Sequence, residues 1–237
     1  KIGLSLRMKF LEHRIGTGKY FVYGMSSIKV NEIISKIKNH EFINRLGVHL
    51  HRKSQNVSEW EIVLELEDSL EKESLKRINF INLGGGLPSV YKSSNVKIFS
   101  YVFEKLKETQ KWLEEKNIQC FIEPGRFLAA PCVRLVTEII QKQDKNLIIN
   151  TTIYNCALDN VLTNTKMLVK GELENNCDFY LIKGNSPTRD DIFRYKVGLN
   201  NIKVGDEIVF LNAGAYNYTT DFFGNNKLKT EIKEDFF

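Results

Sequence analysis

Short apolar segments alternate with segments of helical period through the first half of the chain, and this alternation restricts the fold more than any other feature. The strands predicted from it comprise residues 1–10, 46–51, 78–83 and 118–122. The helical segments between them comprise residues 30–37, 59–76 and 98–116. Strands that are separated by helices build β/α units with a parallel sheet. We therefore predict an α/β domain over residues 1–131.

The pattern changes after about Pro131, where strand-like runs follow one another with turns and little helix between them. These runs comprise residues 133–140, 146–153, 178–183 and 207–212. Successive short strands without helical connections are typical of all-β domains. We therefore predict a second, all-β domain over residues 132–237.

Composition narrows the possible partners and location. The chain is 42% hydrophobic and 27% charged, as in ordinary globular proteins. The net charge is +5, but Lys and Glu alternate along residues 98–116, which is typical of a solvated face and not of a nucleic-acid site. No apolar run reaches the roughly 18 residues of a membrane helix, and no leader begins the chain, so we expect a cytoplasmic protein without a membrane partner. The four cysteines form no C-x-x-C pair, and we expect no metal site.

A carboxylate and a guanidinium lie three residues apart where the strand 118–122 is expected to end. Pro124 stops a strand, and Gly125 lets the backbone approach a ligand. Arg126 can bind a phosphate with two parallel hydrogen bonds, and Glu123, if it is held in a dry place, suits a protonated ring nitrogen. A pyridinium that carries a phosphate is one ligand of this kind. The alternative is a surface ion pair beside a turn.

Three consecutive glycines follow the strand 78–83. Without side chains, the N–H groups of Gly84, Gly85 and Gly86 can close around a phosphate. The alternative is a tight turn before Pro88.

A histidine and a serine follow the strand 46–51. The imidazole of His51 can lie flat on an aromatic ring while Ser54 offers a hydroxyl to a phosphate. Arg52 and Lys53 between them are either phosphate ligands or surface charge. The alternative for His51 is a structural histidine at a strand end.

Two loops of the second half carry further candidates. Tyr216 follows a predicted strand in Gly-Ala-Tyr, so its phenol can reach a phosphate, although such a tyrosine is more often a packing residue. The polar loop 184–191 ends in Asp190 and Asp191, whose carboxylates can bind a substrate ammonium. A solvated turn is the alternative for this loop.

In this order, the stretches resemble the alanine-racemase-like family of decarboxylases that depend on pyridoxal 5′-phosphate (PLP). Its members act on ornithine, arginine, diaminopimelate, lysine or carboxynorspermidine. The resemblance spans nearly the whole chain and implies the second half of a (β/α)₈ barrel followed by a β-sandwich-like or barrel-like domain. The cofactor-binding residues that it implies are His51, Ser54, Gly84, Gly85, Gly86, Glu123, Gly125, Arg126 and Tyr216. The catalytic residues that it implies are Glu123, His51 and Asp191.

The resemblance also implies an activity. Glu123 keeps the pyridine nitrogen protonated, so the ring accepts the electrons left when an α-carboxylate departs as carbon dioxide. The related alanine racemases place an arginine against that nitrogen, so a glutamate favours decarboxylation over racemisation of a small-molecule amino-acid substrate. Family members build shared active sites in a homodimer, which is the assembly expected here.

Three departures from the family pattern stand out. No matching Schiff-base lysine motif is visible, and Lys53 is not a convincing substitute. Since a (β/α)₈ barrel needs about 250 residues, over 100 are expected to be missing from this chain. Pro187 or Thr188 stands where the family carries a proton-donating cysteine; Asp191 is matched to the following acid, with Asp190 as the alternative. The Arg52–Lys53 pair adds positive charge, which favours a more anionic substrate than ornithine.

Two other functions stay open at this point. Loss of the cysteine is compatible with an inactive homologue that regulates a partner by forming dimers with it. A PLP-dependent racemase or transferase of the same fold is the other.

Overall fold

The computed structural model describes residues 1–10, 23–37, 40–58, 60–221 and 224–233. The chain divides into two units. The first comprises Lys1–Pro88 and Asn95–Gly125, and the second comprises Ser89–Ser94 and Arg126–Phe237.

A parallel sheet forms the centre of the first unit. Its strands are β1 (Ile2–Arg7), β2 (Ile43–His49), β3 (Phe80–Asn82) and β4 (Gln119–Phe121), in the spatial order β1-β2-β3-β4. Every neighbouring pair is parallel. The predicted parallel sheet is therefore confirmed, and the segments that follow β2, β3 and β4 all leave the same edge.

Helices connect these strands. They are α1 (Ser27–Ile37), α2 (Ile62–Ser69), α3 (Lys72–Leu75) and α4 (Ile98–Glu114). The Oγ of Ser26 accepts a hydrogen bond from the N–H of Lys29 at 3.3 Å, as expected of a helix cap. Val30 and Ile34 lie one turn apart on α1 and are fully buried. None of the described helices has the length and apolarity needed to cross a lipid bilayer.

The two faces of the parallel sheet differ. Val48 and Ile81 are fully buried, whereas alternation along β3 directs Phe80 to the opposite face. There the rings of Phe80 and Phe121 meet edge to face at 5.7 Å, and the guanidinium of Arg45 lies 5.4 Å from the Phe80 centroid. Phe121 remains 37% exposed. This second face is therefore aromatic and open.

A mixed sheet forms the second unit. Its strands are β5 (Leu135–Gln143), β6 (Asn146–Ile149), β7 (Leu168–Val169), β8 (Asp178–Lys183), β9 (Ile192–Leu199) and β10 (Glu207–Leu211). Their order is β7-β10-β5-β6-β8-β9, with β6 and β8 parallel and the other pairs antiparallel. Along β5, Leu135, Thr137 and Ile139 are buried and alternate with exposed residues. Alternation of this kind is typical of a sheet with one face on a core.

The prediction of little helix in the second half is wrong at one place. The strand expected over residues 146–153 ends at Ile149, and the helices α6 (Ile153–Cys156) and α7 (Leu158–Thr163) follow. Thr152 starts α6 with a capping box: its side chain accepts from the N–H of Tyr154, and the side chain of Asn155 accepts from the N–H of Thr152. These polar contacts stop the β-branched run from continuing as a strand. The strand β9 was not predicted.

Burial distinguishes the thiols of the second unit in a testable way. Cys132 is exposed, whereas burial raises the pKa of Cys156 to about 12. At pH 8 the thiolate fraction of Cys156 is therefore only about one in 10⁴. In the complete protein, we expect Cys132 to react rapidly with a thiol reagent and Cys156 to react only after unfolding. Mass spectrometry of the labelled peptides, with Cys132→Ser as control, measures this, and equal native rates would contradict the packing.

Candidate functional site

Three predicted segments meet at the carboxyl edge of the parallel sheet in the first unit. The backbone N–H of Glu123 donates to the carbonyl of Gly84 at 2.8 Å. The N–H of Gly85 lies 3.4 Å from Nδ1 of His51. Since parallel strands end at one edge, segments distant in sequence are brought into contact there. The structure thus places His51, the glycine loop and Glu123 together.

The carboxylate of Glu123 has two polar neighbours. Its Oε1 accepts a hydrogen bond from Nδ2 of Asn82 at 2.8 Å, and its Oε2 lies 3.5 Å from Nε2 of His49. The side chain of Glu123 is 52% exposed among the described residues, so it does not lie in the dry environment that was expected. The reason is that β4 ends at Phe121, which leaves Glu123 two residues beyond the sheet.

The imidazole of His51 is partly buried, and its surroundings lower its pKa. Partial burial is the largest cause, and electrostatic repulsion from Arg7 and His49 acts in the same direction, while Glu123 opposes them. The neutral form of His51 therefore dominates at pH 7. A neutral imidazole can lie against an aromatic ring without the cost of desolvating a charge.

Each of the three glycines is required at its position for a different structural reason. Gly84 has φ +66° and Gly86 has φ +105°, which is the left-handed region. A Cβ on Gly84 would overlap the carbonyl oxygen of Leu50. Gly85 does not have a positive φ, but a Cβ there would lie 3.1 Å from both Cε1 of His51 and the carbonyl oxygen of Glu123. Gly85 therefore keeps open the space between these two residues, which fits an aromatic ligand at this edge.

The Gly84 contact gives a stability prediction with a matched control. Gly171 has φ +75°, and a Cβ added there would meet no atom within 4 Å, so Gly171→Ala measures the conformational cost alone. We expect Gly171→Ala to lower the free energy of unfolding by about 1–2 kcal/mol. Gly84→Ala adds steric overlap, for a total of about 2–5 kcal/mol. Urea unfolding of the complete protein measures both, and equal losses would show that the Leu50 contact is unimportant.

Arg52 is buried, so the alternative of a surface charge is wrong for this residue. It is 1% exposed, and its Nη2 donates to Oε2 of Glu65 on α2 at 2.8 Å. The guanidinium also lies 5.3 Å from the Phe10 ring and 5.5 Å from the Trp60 ring. Its charge is therefore paired within the fold of the first unit, and the preference for a more anionic substrate, expected from the Arg52–Lys53 pair, stays a prediction. Lys53 is exposed, and Ser54 lies in a partly buried turn.

Arg126 is buried in the second unit, where it begins the short helix α5 (Arg126–Ala129) after the exposed bend at Gly125. Its Nη1 and Nη2 donate to the two carboxylate oxygens of Asp159 at 2.6 and 2.8 Å, and Nη1 also donates to the Tyr91 hydroxyl at 2.9 Å. Burial alone would lower the pKa of Arg126, but the bonds to Asp159 and Tyr91 outweigh it and raise the pKa. A phosphate at this guanidinium would have to share it with Asp159, so the phosphate contact stays a prediction.

Tyr216 lies beside Arg126 in the same unit. The guanidinium carbon is 5.0 Å from the centroid of the Tyr216 ring, although 90 positions separate the two residues in the numbering. Tyr216 has φ +57° and is 56% exposed. An exposed phenol next to a buried cation is compatible with the predicted anion contact.

Asp191 does not present its carboxylate to solvent. It is fully buried; Oδ1 accepts from the N–H of Ile153 at 2.8 Å and Oδ2 from the N–H of Ser186 at 3.0 Å. A Cβ on Gly184 would overlap this carboxylate, which explains the glycine. Asp191 therefore holds the loop to α6, and its role as a substrate ligand stays a prediction. Asp190, the alternative, is exposed.

Four residues of these clusters were missed by sequence reasoning. His49 had a signal, since residues two apart on a strand share a face. Asn82 directly precedes the apolar residue before the glycines, at the end of β3. No sequence signal identified Tyr91 and Asp159, because they lie 35 and 33 positions from Arg126 in the sequence.

Residues 5–130 match the family model described as "Pyridoxal-dependent decarboxylase, pyridoxal binding domain". Among curated relatives, the chain is similar to the diaminopimelate decarboxylase of Buchnera aphidicola subsp. Schizaphis graminum, with 27% identity over 216 residues, 79% of this chain and 51% of the relative. The diaminopimelate decarboxylase of Methanocaldococcus jannaschii is 23% identical over 189 residues, 74% of this chain and 43% of the relative. The chain spans about half the length of the curated relatives it matches.

Solved structures show the same fold. A lysine decarboxylase from Selenomonas ruminantium superposes with a TM-score of 0.76 at 20% identity, covering 98% of this chain and 64% of the other. A diaminopimelate decarboxylase from Helicobacter pylori, complexed with L-lysine, gives a TM-score of 0.70 at 21% identity, covering 94% of this chain and 59% of the other. At these identities the comparison shows a shared fold.

Proposed function

This chain belongs to the pyridoxal-dependent decarboxylase family, and on that premise we propose that the complete protein removes the α-carboxylate of a basic or diamino amino acid. The observation that carries the proposal is the cluster of His51, Gly85 and Glu123 at one edge of the parallel sheet. The substrate class is supported by the relatives, which are diaminopimelate decarboxylases.

Each residue of that cluster has a defined task. When bound, PLP supplies a ring that accepts the electron pair released with carbon dioxide. The carboxylate of Glu123, oriented by Asn82, would hold a proton on the ring nitrogen, because an opposite charge favours the protonated form. Neutral His51 would lie against the ring face, and Gly85 leaves room between them.

The phosphate ligands stay part of the proposal. They are Ser54, Gly84, Gly85, Gly86, Gly125, Arg126 and Tyr216. The N–H of Gly84 donates to Oδ1 of Asn82 at 2.8 Å, so this donor is already engaged in the protein. The Schiff-base lysine is proposed to lie outside this chain, since none of the segments matches it.

We also propose the finer architecture and assembly. Residues 1–131 would form the second half of a (β/α)₈ barrel and residues 132–237 a sandwich-like or barrel-like β domain. The open aromatic face of the parallel sheet supports this, because parallel sheets are normally covered on both faces. A cytoplasmic homodimer with shared active sites is proposed from the family resemblance, and light scattering of the complete protein tests the dimer.

One experiment tests the function directly. The complete protein is saturated with PLP and incubated with diaminopimelate, lysine, ornithine, arginine and carboxynorspermidine, and release of carbon dioxide is measured. We expect release from at least one of them. A protein that binds the cofactor, as seen by its absorption, but releases carbon dioxide from none would contradict the proposal.

A second candidate function is supported by the loop 184–191. Pro187 or Thr188 replaces the expected cysteine, and the hydroxyl of Thr188 is 2.9 Å from that of Ser186 instead of being free. This loop favours an inactive homologue that binds and regulates an active decarboxylase. Co-purification with a partner, combined with an activity assay of the mixture, separates the two functions.

A further inference from the structure

Two imidazoles and one carboxylate converge at the carboxyl edge of the parallel sheet. One ligand atom from each of His49, His51 and Glu123 lies within 4.8 Å of the others. We propose that this triad binds a divalent transition-metal ion, Zn²⁺ foremost, when PLP is not bound, and that metal and cofactor exclude each other. The exclusion rests on the proposed function, whereas the metal site rests on the triad alone.

The chain geometry explains the convergence. His49 ends β2 and His51 follows two positions later, so both side chains leave the strand on the same side. Glu123 follows β4 at the same edge of the sheet. Neighbouring ligands of a tetrahedral Zn²⁺ lie about 3.3–3.4 Å apart, given Zn–N distances of about 2.0–2.1 Å. Nε2 of His49 and Oε2 of Glu123 are already 3.5 Å apart, and no two ligand atoms of the triad are more than 4.8 Å apart.

A second observation points to a ligand. Nε2 of His49 is buried, and it makes no hydrogen bond to any described residue. Buried polar atoms are nearly always satisfied, so this nitrogen calls for a partner. The amide of Asn82 binds Oε1 of Glu123 and leaves Oε2 on the side of His49. A hydrogen bond of this kind typically orients a carboxylate that binds a metal.

The chemistry of the triad selects the metal. Two imidazoles and a carboxylate suit Zn²⁺ and similar ions, whereas Mg²⁺ and Ca²⁺ require oxygen ligands. Metal binding has a cost at His51, because Nδ1 of His51 lies 3.4 Å from the N–H of Gly85 and would lose this contact on binding the metal. At that distance the contact is weak. The positive charge of Arg7, which also acts on His51, opposes a dication and limits the affinity.

Metal titration of the complete protein, freed of PLP, tests the site. We expect one Zn²⁺ per chain by calorimetry, visible absorption from a tetrahedral Co²⁺ complex, and no Mg²⁺ binding. His49→Gln removes a ligand and should abolish the Co²⁺ absorption. Asn82→Leu removes the carboxylate's partner and should weaken Zn²⁺ about 10- to 100-fold. His40→Gln is the matched control, because His40 is exposed and outside the triad, and it should leave binding unchanged.

The outcomes separate the inference from the proposed function. Zn²⁺ binding that is equal in His49→Gln and the unchanged protein, or absent from both, overturns the site. Zn²⁺ binding that survives saturation with PLP overturns the exclusion. Circular dichroism of each variant confirms that it is folded. An unchanged protein that binds no Zn²⁺ but releases carbon dioxide contradicts this inference alone, whereas Zn²⁺ binding without any decarboxylation contradicts only the function.

Discussion

Replacing Glu123 with glutamine in the complete protein is expected to lower kcat/KM for decarboxylation about 10²- to 10³-fold, the usual loss for one preorganised electrostatic contact. Glutamine has the same shape and can still accept a hydrogen bond from Asn82, which donates to Oε1 at 2.8 Å. Only the negative charge is lost, so the ring nitrogen of the cofactor loses its counter-ion. Steady-state release of carbon dioxide measures the effect, and the absorption spectrum of the bound cofactor reports the change at the ring.

The control for this prediction is Glu115→Gln, which removes the same charge from an exposed position after α4. It should leave kcat/KM unchanged. If both variants retained full activity while their cofactor spectra were identical, Glu123 would have no role at the ring nitrogen. If Glu123→Gln were merely unfolded, urea unfolding would reveal it, since the Asn82 contact predicts near-normal stability.

Replacing Arg126 with methionine is expected to lower the free energy of unfolding by about 3–5 kcal/mol, because it leaves a buried carboxylate without its partner. Asp159 is 3% exposed, and both of its oxygens accept from Arg126. The Tyr91 hydroxyl loses the same guanidinium. Chemical unfolding in urea, followed by fluorescence, measures the loss.

The double variant Arg126→Met with Asp159→Leu distinguishes a structural from a cofactor role. Removing both charges should restore much of the stability, since apolar pairs often replace buried ion pairs at little cost. If Arg126 also binds the phosphate, the restored protein should still bind PLP more weakly than the unchanged protein. A double variant that is both stable and normal in PLP affinity would show that Arg126 acts only through Asp159.

The two clusters show how much of a site can be predicted from local sequence patterns. The contacts of His51, Gly85 and Glu123 follow from strands that end at one edge, and each strand was recognisable from its own residues. The degree of exposure was not recognisable. Glu123 is half exposed because β4 is only three residues long, and strand length depends on the pairing of Gln119–Phe121 with β3.

The surroundings of two charged residues differ from those expected from the sequence. Arg52 was expected to be either a phosphate ligand or a surface charge, but it is buried against Glu65 and two aromatic rings within the first unit. Asp191 was expected at the substrate, but the N–H groups of Ile153 and Ser186 enclose it. In both cases the partners of the side chain are distant in the sequence and could not be predicted from the motif.

By itself, the sequence determined the order of strands and helices in the first unit, the parallel sheet and the family, because periodicity, caps and glycines act over a few neighbouring residues. Only the tertiary structure decided which charges face a ligand and which stay inside. Arg126 pairs with Asp159, which lies 33 positions away in the sequence. Asp191 accepts a hydrogen bond from Ile153, which lies 38 positions away. A charged side chain is buried only when a partner of this kind compensates its desolvation, and the local sequence pattern does not indicate where that partner lies.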